Sequence, residues 1–266
     1  MTLSGPTAAL ARLFVFLFGL LGFLGLELAA PYRPATVAKP GRWRTNLSLA
    51  ALNAVLINLA FGAAVAATTA TVAADRLGAL NRLDLPGWAR LLAAIAILDF
   101  TQYVWHLLNH QVPLLWRFHR VHHSDPNMDV STATRFHAGE LALSALIRIG
   151  LIFFLGLDLL SLAVFESLSN LAAQFHHSSL KAPAWIEQAW WLLFVPPSMH
   201  RIHHSVVIRE RDTNYGVIFS IWDRVMGTLV SEVDQAGIRI GMGAYPRAER
   251  LGFFHLLAMP FTRAVR

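Results

Sequence analysis

The chain has 266 residues, of which 55% are hydrophobic and 14% charged, with a mean hydropathy of +0.48 and no cysteine. The charged fraction is far below the roughly 25% of soluble domains, which indicates a membrane protein, and the lack of cysteine excludes disulfides, cysteine-held iron–sulfur clusters and thiolate-bound haem. The net charge of +6 fits basic loops facing anionic lipid headgroups, and no nucleic-acid partner is expected.

Five apolar stretches follow one another along the chain, at residues 13–30, 47–74, 91–108, 141–157 and 159–175. Because a helix needs roughly 20 apolar residues to cross a bilayer, the first two qualify, and the third does so if its polar residues face inward. The last two are shorter and contain Arg148 and Glu166, which indicates a helical hairpin or a re-entrant pair. The sequence therefore predicts an all-α, multi-pass transmembrane bundle of four to five membrane helices.

The distribution of basic residues predicts which side of the membrane each loop occupies. Loop 31–46 contains four basic residues and no acidic one, so the positive-inside rule makes it cytoplasmic. Loop 75–90 then lies outside, and residues 111–139 and the tail from residue 178 lie in the cytoplasm. All histidine clusters fall on this face as a cytoplasmic histidine-rich cap, and the compact, Ala-rich composition favours a bacterial inner membrane.

Eleven of the twelve histidines fall into four clusters, and the pattern H-x-x-H-H occurs twice. In a helix, residues three or four apart share a face, so each such box presents two or three imidazoles to one point. Eight or more imidazoles exceed the four ligands of an ordinary zinc site, which predicts two metal ions. The clusters are His106 and His110; His119, His122 and His123, with His137 downstream; His176 and His177; and His200, His203 and His204.

The residues alone leave the metal and the activity open. Imidazole ligands suit zinc and iron alike, and iron with open positions is the usual oxygen-activating arrangement. The alternatives are a pH-sensing histidine patch, a zinc-dependent membrane hydrolase with Glu140 as its base, and a non-enzymatic metal transporter or sensor. A transporter would place ligands along the spans, whereas here the histidines gather at one end.

Six stretches in the middle of the chain resemble the sterol desaturase / fatty acid hydroxylase superfamily of integral membrane di-metal oxygenases. They cover residues 99–228 and all the histidine clusters. The resemblance divides the chain into N-terminal membrane helices (1–98), a catalytic domain of the fatty acid hydroxylase type (99–228) and a C-terminal tail (229–266). The matching stretches are DFTQYVWHLLNH (99–110), LLWRFHRVHHSD (114–125), TRFHAGE (134–140), FHHSSLKAP (175–183), PSMHRIHHS (197–205) and DTNYGVIFSIWDRVMGT (212–228).

The resemblance implies a membrane enzyme with two iron ions that uses O2 to hydroxylate or desaturate a lipid C–H bond. By position, three histidine boxes supply eight of the metal ligands. The first box is His106 and His110, the second is His119, His122 and His123, and the third is His200, His203 and His204. His177 matches the lone histidine before the third box, and His176 replaces or assists it. His137 stands where many members have histidine followed by proline, and it is expected to be an additional ligand or to support one.

Three further residues are expected behind the ligands. Asp99 shares a helix face with His106 and is predicted to orient a ligand imidazole through its N–H. Asn214 and Asp223 lie in the closing motif that the resemblance covers, and they are expected to be structural or to support the ligands. Asp223, together with Arg224, is expected to connect the tail to the histidine site.

The chain contains no G-x-G-x-x-G nucleotide fingerprint. Electrons are therefore expected from a separate protein, which is a ferredoxin, a cytochrome b5-like protein or a reductase. The stretch WIEQAWWLLFVP (185–196) is predicted to lie as an amphipathic helix on the cytoplasmic leaflet.

Overall fold

The computed structural model describes residues 5–245, 247–263 and 265, and these contain no named β-strand. Helices make up 69% of the structure, which confirms the predicted all-α bundle. The α-helices are α1 (Gly5–Ala29), α2 (Lys39–Asp75), α3 (Gly87–Gln111), α4 (Pro113–His123), α5 (Ala138–Leu155), α6 (Leu159–His177), α7 (Ala184–Trp191), α8 (Pro197–His203), α9 (Ile208–Arg211), α10 (Ile221–Val225) and α11 (Phe253–Ala258).

Within the described residues, four segments are long and apolar enough to cross a membrane, namely Thr7–Ala29, Lys39–Asn81, Gly87–Gln111 and Ala138–Leu155. The multi-pass prediction is therefore confirmed. Large apolar side chains cover their outer faces, with Phe14 exposed by 70% and Leu59 by 77%. Such faces are stable only when lipid tails cover them.

A short turn joins α5 to α6, and the two helices pack on different partners, α5 on α2 and α6 on α1. The hairpin or re-entrant arrangement of this pair stays a prediction. The turn begins at Gly156, whose φ of +78° is unfavourable for other residues. Gly156 packs against Gly78 so closely that a Cβ at Gly78 would lie 2.1 Å from the Gly156 nitrogen. Both positions therefore require glycine, and the contact attaches this turn to the end of α2.

The long helices pack pairwise, α1 on α6 and α2 on α5, while α3 contacts α4 and α6. A core of aliphatic side chains from α2, α3, α5 and α6, with residues of the connecting loops, fills the end of the bundle farther from the histidines. Its buried members are Val72, Leu80, Ala94, Leu98, Ile152, Leu157 and Leu162.

A buried ionic network attaches α2 to the loop that follows the second histidine box. The Arg42 guanidinium donates to both oxygens of Asp125, at 2.6 and 2.9 Å, and to Asp129 at 2.7 Å. The Glu27 carboxylate of α1 in turn accepts from the backbone N–H groups of Val130 and Ser179, at 2.7 and 2.8 Å. The N-terminal helices thus contact the histidine-bearing loops directly. The division into three segments remains a prediction.

The C-terminal segment lies along the outer face of α4. Arg120 donates to the carbonyl of Arg263 at 2.8 Å and to that of Met259, and Trp116 donates its Nε1–H to Val265 O at 2.9 Å. Arg120 is fully buried by this contact. The segment therefore stabilises the helix that bears the second histidine box.

Candidate metal centre

Nine buried histidines form two adjoining groups at one end of the bundle. Within each group, the nitrogen atoms available as ligands lie within 4.8 Å of one another. The groups meet where the ring of His123 stacks on that of His204, with centroids 4.4 Å apart. The first group is His106, His110, His119, His123 and His203, and the second is His122, His177, His200 and His204.

Each H-x-x-H-H box contributes to both groups. On α4, His119 and His123 point into the first group and His122 into the second; on α8, His203 joins the first group while His200 and His204 join the second. The expectation that each box serves one point therefore needs correction. Neighbouring residues on a helix diverge by roughly 100°, so a box of three is divided between two centres.

Five of these histidines have an acceptor at Nδ1. A backbone carbonyl only accepts, so a ring that bonds one carries its proton on Nδ1 and keeps a bare lone pair on Nε2. A carboxylate acts in the same way and raises the basicity of the ring. The pairs are His106 with Tyr215 O (2.8 Å), His203 with Thr213 O (2.7 Å), His177 with Ala173 O (2.7 Å), His119 with Glu140 Oε1 (2.9 Å) and His110 with Asp212 Oδ1 (3.2 Å).

These lone pairs converge, which is the arrangement that a metal ion requires. His177 Nε2 lies 3.1 Å from His122 Nε2 and 3.0 Å from His200 Nε2, and His110 Nε2 lies 3.1 Å from His123 Nε2. Two nitrogens bound at about 2.1 Å to one ion, with a bond angle near 90°, are separated by about 3 Å. Both groups therefore fit a metal ion with all-nitrogen ligands.

Unsatisfied nitrogens in the first group support the same conclusion. The Nε2 atoms of His106, His119 and His203 are buried and have no hydrogen-bond partner within the described part of the chain. Leaving a buried acceptor without a partner costs about 1–3 kcal/mol. Binding a cation offsets this penalty at all three rings together.

Burial keeps the rings neutral. Burial, followed by the charge that neighbouring imidazoles would carry, lowers the pKa of His122, His123, His200, His203 and His204 well below the ordinary value. A neutral imidazole is the form that binds a metal ion, so the site is prepared for metal near neutral pH without losing protons.

Two of the predicted histidines lie outside both groups. The ring of His176 lies tilted beside that of His200, with centroids 4.0 Å apart, but His176 contributes no nitrogen to either group. His137 precedes α5, where its Nδ1 accepts from Gly139 N at 2.9 Å. The structure thus places His177, and not His176, among the potential ligands.

Asp99 lies behind the site and contacts no histidine among the described hydrogen bonds. Its fully buried carboxylate accepts from the backbone N–H groups of Ile218 and Phe219, both at 3.1 Å, and from Trp222 Nε1 at 2.7 Å. It therefore anchors the loop 212–228 to α3, instead of orienting an imidazole directly as the sequence suggested.

Asp223 and Asn214 shape the same loop from within. Asp223 accepts from the N–H groups of Tyr215 and Gly216, both at 2.8 Å. Asn214 has a left-handed backbone, with φ of +56°, and its side chain pairs with both backbone groups of Val230 at 2.8 Å. These contacts fix the carbonyl of Tyr215, which holds His106.

Most of the acceptors that bond to Nδ1 of the grouped histidines were not identified from the sequence. Thr213 and Tyr215 act through backbone carbonyls, which leave no side-chain signal. Asp212 and Glu140 do leave one, because each lies in a stretch that resembles the superfamily, DTNY and TRFHAGE respectively.

Residues 91–228 match the model of the fatty acid hydroxylase family. The match covers more than half of the chain and includes both histidine groups. The chain belongs to the fatty acid hydroxylase family. Membership confirms the superfamily inferred from the histidine boxes.

Relatives of this fatty acid hydroxylase family member include lipid hydroxylases and monooxygenases. The chain is 28% identical to the ornithine lipid hydroxylase OlsE of Rhizobium tropici over 249 residues, which is 90% of this chain and 72% of that protein. It is 31% identical to the alkylglycerol monooxygenase of Danio rerio over 187 residues, which is 67% of this chain and 38% of that protein. It is 30% identical to the alkylglycerol monooxygenase of Homo sapiens over 139 residues, which is 50% of this chain and 29% of that protein. No solved structure matches. The relatives support the predicted oxidoreductase class.

Proposed function

We propose that this protein is a membrane-bound lipid hydroxylase whose two histidine groups hold two iron ions. The observation that carries the proposal is the convergence of imidazole lone pairs in two adjoining buried groups. Iron is favoured over zinc because zinc has no redox chemistry, while hydroxylation of a C–H bond is an oxidation. When bound, the two irons would supply the activation of O2.

The proposed reaction consumes O2, two electrons and two protons. One oxygen atom enters the lipid C–H bond as a hydroxyl group and the other leaves as water. A desaturation would instead remove two hydrogens from the lipid and turn both oxygen atoms into water; the names of the relatives favour hydroxylation. A separate electron carrier, a ferredoxin, a cytochrome b5-like protein or a reductase, would supply the electrons.

The residues of the chain would orient the ligands and exclude water. Tyr215 O and Thr213 O hold His106 and His203 with Nε2 inward. All nine grouped histidines are buried, which protects an oxidising site from bulk solvent.

The position of the site suggests that the lipid reacts near its polar end. His106 and His110 lie in the last two turns of the spanning helix α3, so the metal centre would lie near the membrane surface and not at its middle. Ornithine lipid and alkylglycerol, named in the relatives, are both polar lipids. We therefore infer a polar membrane lipid as the substrate. From the basic loop 31–46 and the Ala-rich composition, we infer a bacterial inner membrane with the site on its cytoplasmic side.

The geometry speaks against the two rival functions. Glu140, the base required by a zinc hydrolase, bonds to His119 at Nδ1, the side of the ring that faces away from the group. A transporter would need ligands along its spans, but in the four candidate spans histidines occur only near the end of α3.

The test is the metal content of protein purified in detergent under anaerobic, iron-replete conditions. We expect about two irons per chain in the natural protein. His203→Ala should lose iron from the first group, and His122→Ala should lose iron from the second group. His255→Ala, which changes an exposed histidine outside both groups, is the matched control and should retain both. Full metal retention in the first two variants would refute the site.

Activity is tested separately by lipid analysis. A strain that expresses the protein should accumulate a polar lipid with one added oxygen atom, and the strain with His203→Ala should not. If the purified protein contains zinc, reconstitution with iron followed by O2 uptake decides the chemistry. No O2 uptake by the iron form, with reductant and total lipid extract supplied, would overturn the oxygenase assignment.

A further inference from the structure

Two short segments of the cap expose large apolar side chains that no described part of the chain covers. Leu192 is 75% exposed and Val225 71%, and Leu193, Ile221 and Met226 range from 43% to 50%. We call these segments, residues 189–194 and 219–226, the apolar lip. The first segment begins in the last turn of α7, and the second includes α10.

The two segments of the lip form one unit. Ser220 donates its N–H to Leu193 O at 3.0 Å, and the rings of Phe194 and Phe219 stack with centroids 5.7 Å apart. The exposed apolar side chains thus belong to one connected surface, and such surfaces on soluble monomers generally mark an interaction site.

The lip lies beside the membrane-crossing part of α3. Trp222, in the lip, bonds to Asp99 and packs on Phe100 with ring centroids 5.0 Å apart. Asp99 precedes His106 by seven residues, so it lies about 10 Å further into the candidate span of α3 at ~1.5 Å per residue. Phe100 is itself 37% exposed on the spanning helix. The lip therefore continues the surface of α3 that faces lipid.

The backbone of the lip is prepared for an environment without water. In lipid, every backbone carbonyl and N–H must find an internal partner. Trp191 O accepts from Arg224 and from Ser220 Oγ, the latter at 2.9 Å, and Leu192 O accepts from Arg224 at 3.3 Å. The exposed Arg224 guanidinium thus donates to the carbonyls at the end of α7. A long cationic side chain at a membrane surface can keep its charge at the headgroups while its neighbours are in the apolar region.

We propose that the apolar lip is inserted into the leaflet nearest the metal centre and that its partner is the acyl chains of that leaflet. The element does not cross the membrane; it enters beside α3 and brings lipid to the edge of the histidine cap. The inference concerns the cap and the bilayer, and it holds whichever metal the histidines bind.

Site-directed spin labelling tests the insertion. The chain has no cysteine, so a single cysteine can be introduced at each position without first removing others. Single cysteines at Val225 and Leu192 would be labelled in protein reconstituted into vesicles of phosphatidylethanolamine and phosphatidylglycerol. Phe14→Cys, on the exposed face of α1, is the lipid standard, and Glu232→Cys, an exposed charged position, is the water standard. The readout is the collision rate of each label with O2 and with a water-soluble nickel chelate.

We expect the labels at 225 and 192 to behave like the label at 14, with frequent O2 collisions and few nickel collisions. Labels that behave like the one at 232 would overturn the insertion. Met226→Cys gives an independent reading from the same surface, and the elution volume and helical circular dichroism of every variant confirm that it is folded. Because the readout is independent of iron and turnover, its failure is distinguishable from failure of the proposed function.

Discussion

Replacing Asp99 tests whether the loop 212–228 holds the ligand histidines in place. Asp99→Ala removes the acceptor of three donors, the buried N–H of Ile218 and the partly buried N–H of Phe219 and indole N–H of Trp222. A fully buried donor left without a partner costs about 1–3 kcal/mol, so the change destabilises the loop by at most roughly 3–9 kcal/mol. That range is comparable with the stability of a whole domain, about 5–15 kcal/mol, so the loop should detach locally.

Detachment would release the carbonyl that holds His106. Loss of a group behind a metal ligand typically lowers metal affinity about 10- to 100-fold, and we expect Asp99→Ala to lose affinity in that range. Asp99→Asn keeps an acceptor oxygen, so its metal affinity should lie between that of Asp99→Ala and that of the natural protein. The measurement is iron retained per chain against increasing chelator, together with the midpoint of thermal unfolding in detergent.

Gln102→Ala is the matched control, since it lies one turn along α3 and its described hydrogen bond is one from Ser169 Oγ at 2.9 Å. It should retain iron and unfold near the natural midpoint. If Asp99→Ala matched this control in both measurements, the carboxylate would not anchor the site and the reasoning would be refuted.

Three other changes test neighbouring contacts. Asp125→Ala should lower the free energy of unfolding by at most about 3–5 kcal/mol, because the buried Arg42 guanidinium loses its two-oxygen partner and keeps only Asp129; an unchanged thermal midpoint would contradict this. Arg120→Ala should make segment 259–263 sensitive to limited proteolysis, since its carbonyls lose their donor; equal protection in both proteins would argue against it. Glu140→Gln should weaken metal binding about 10- to 100-fold because His119 loses its charged acceptor, and a chelator titration that overlays the natural one would exclude that role.

Local sequence determined the helices and the kinds of ligand. Long apolar stretches require helices in a membrane, because only a helix satisfies its own backbone there, and the four candidate spans follow from them. The spacing of the histidines likewise predicted which rings act together at four-residue separation: His106 with His110, His119 with His123, and His200 with His204 each share a group.

The tertiary structure decided what these residues face. His176 and His177 are adjacent and alike in sequence, and only the packing of α6 against α8 shows which one reaches the second group. The division of each box between two groups and the attachment of Asp99 to a loop more than a hundred residues away follow from contacts distant in sequence. Helical periodicity gives the direction of a side chain relative to its own helix, but the partner opposite it is set by how the helices pack.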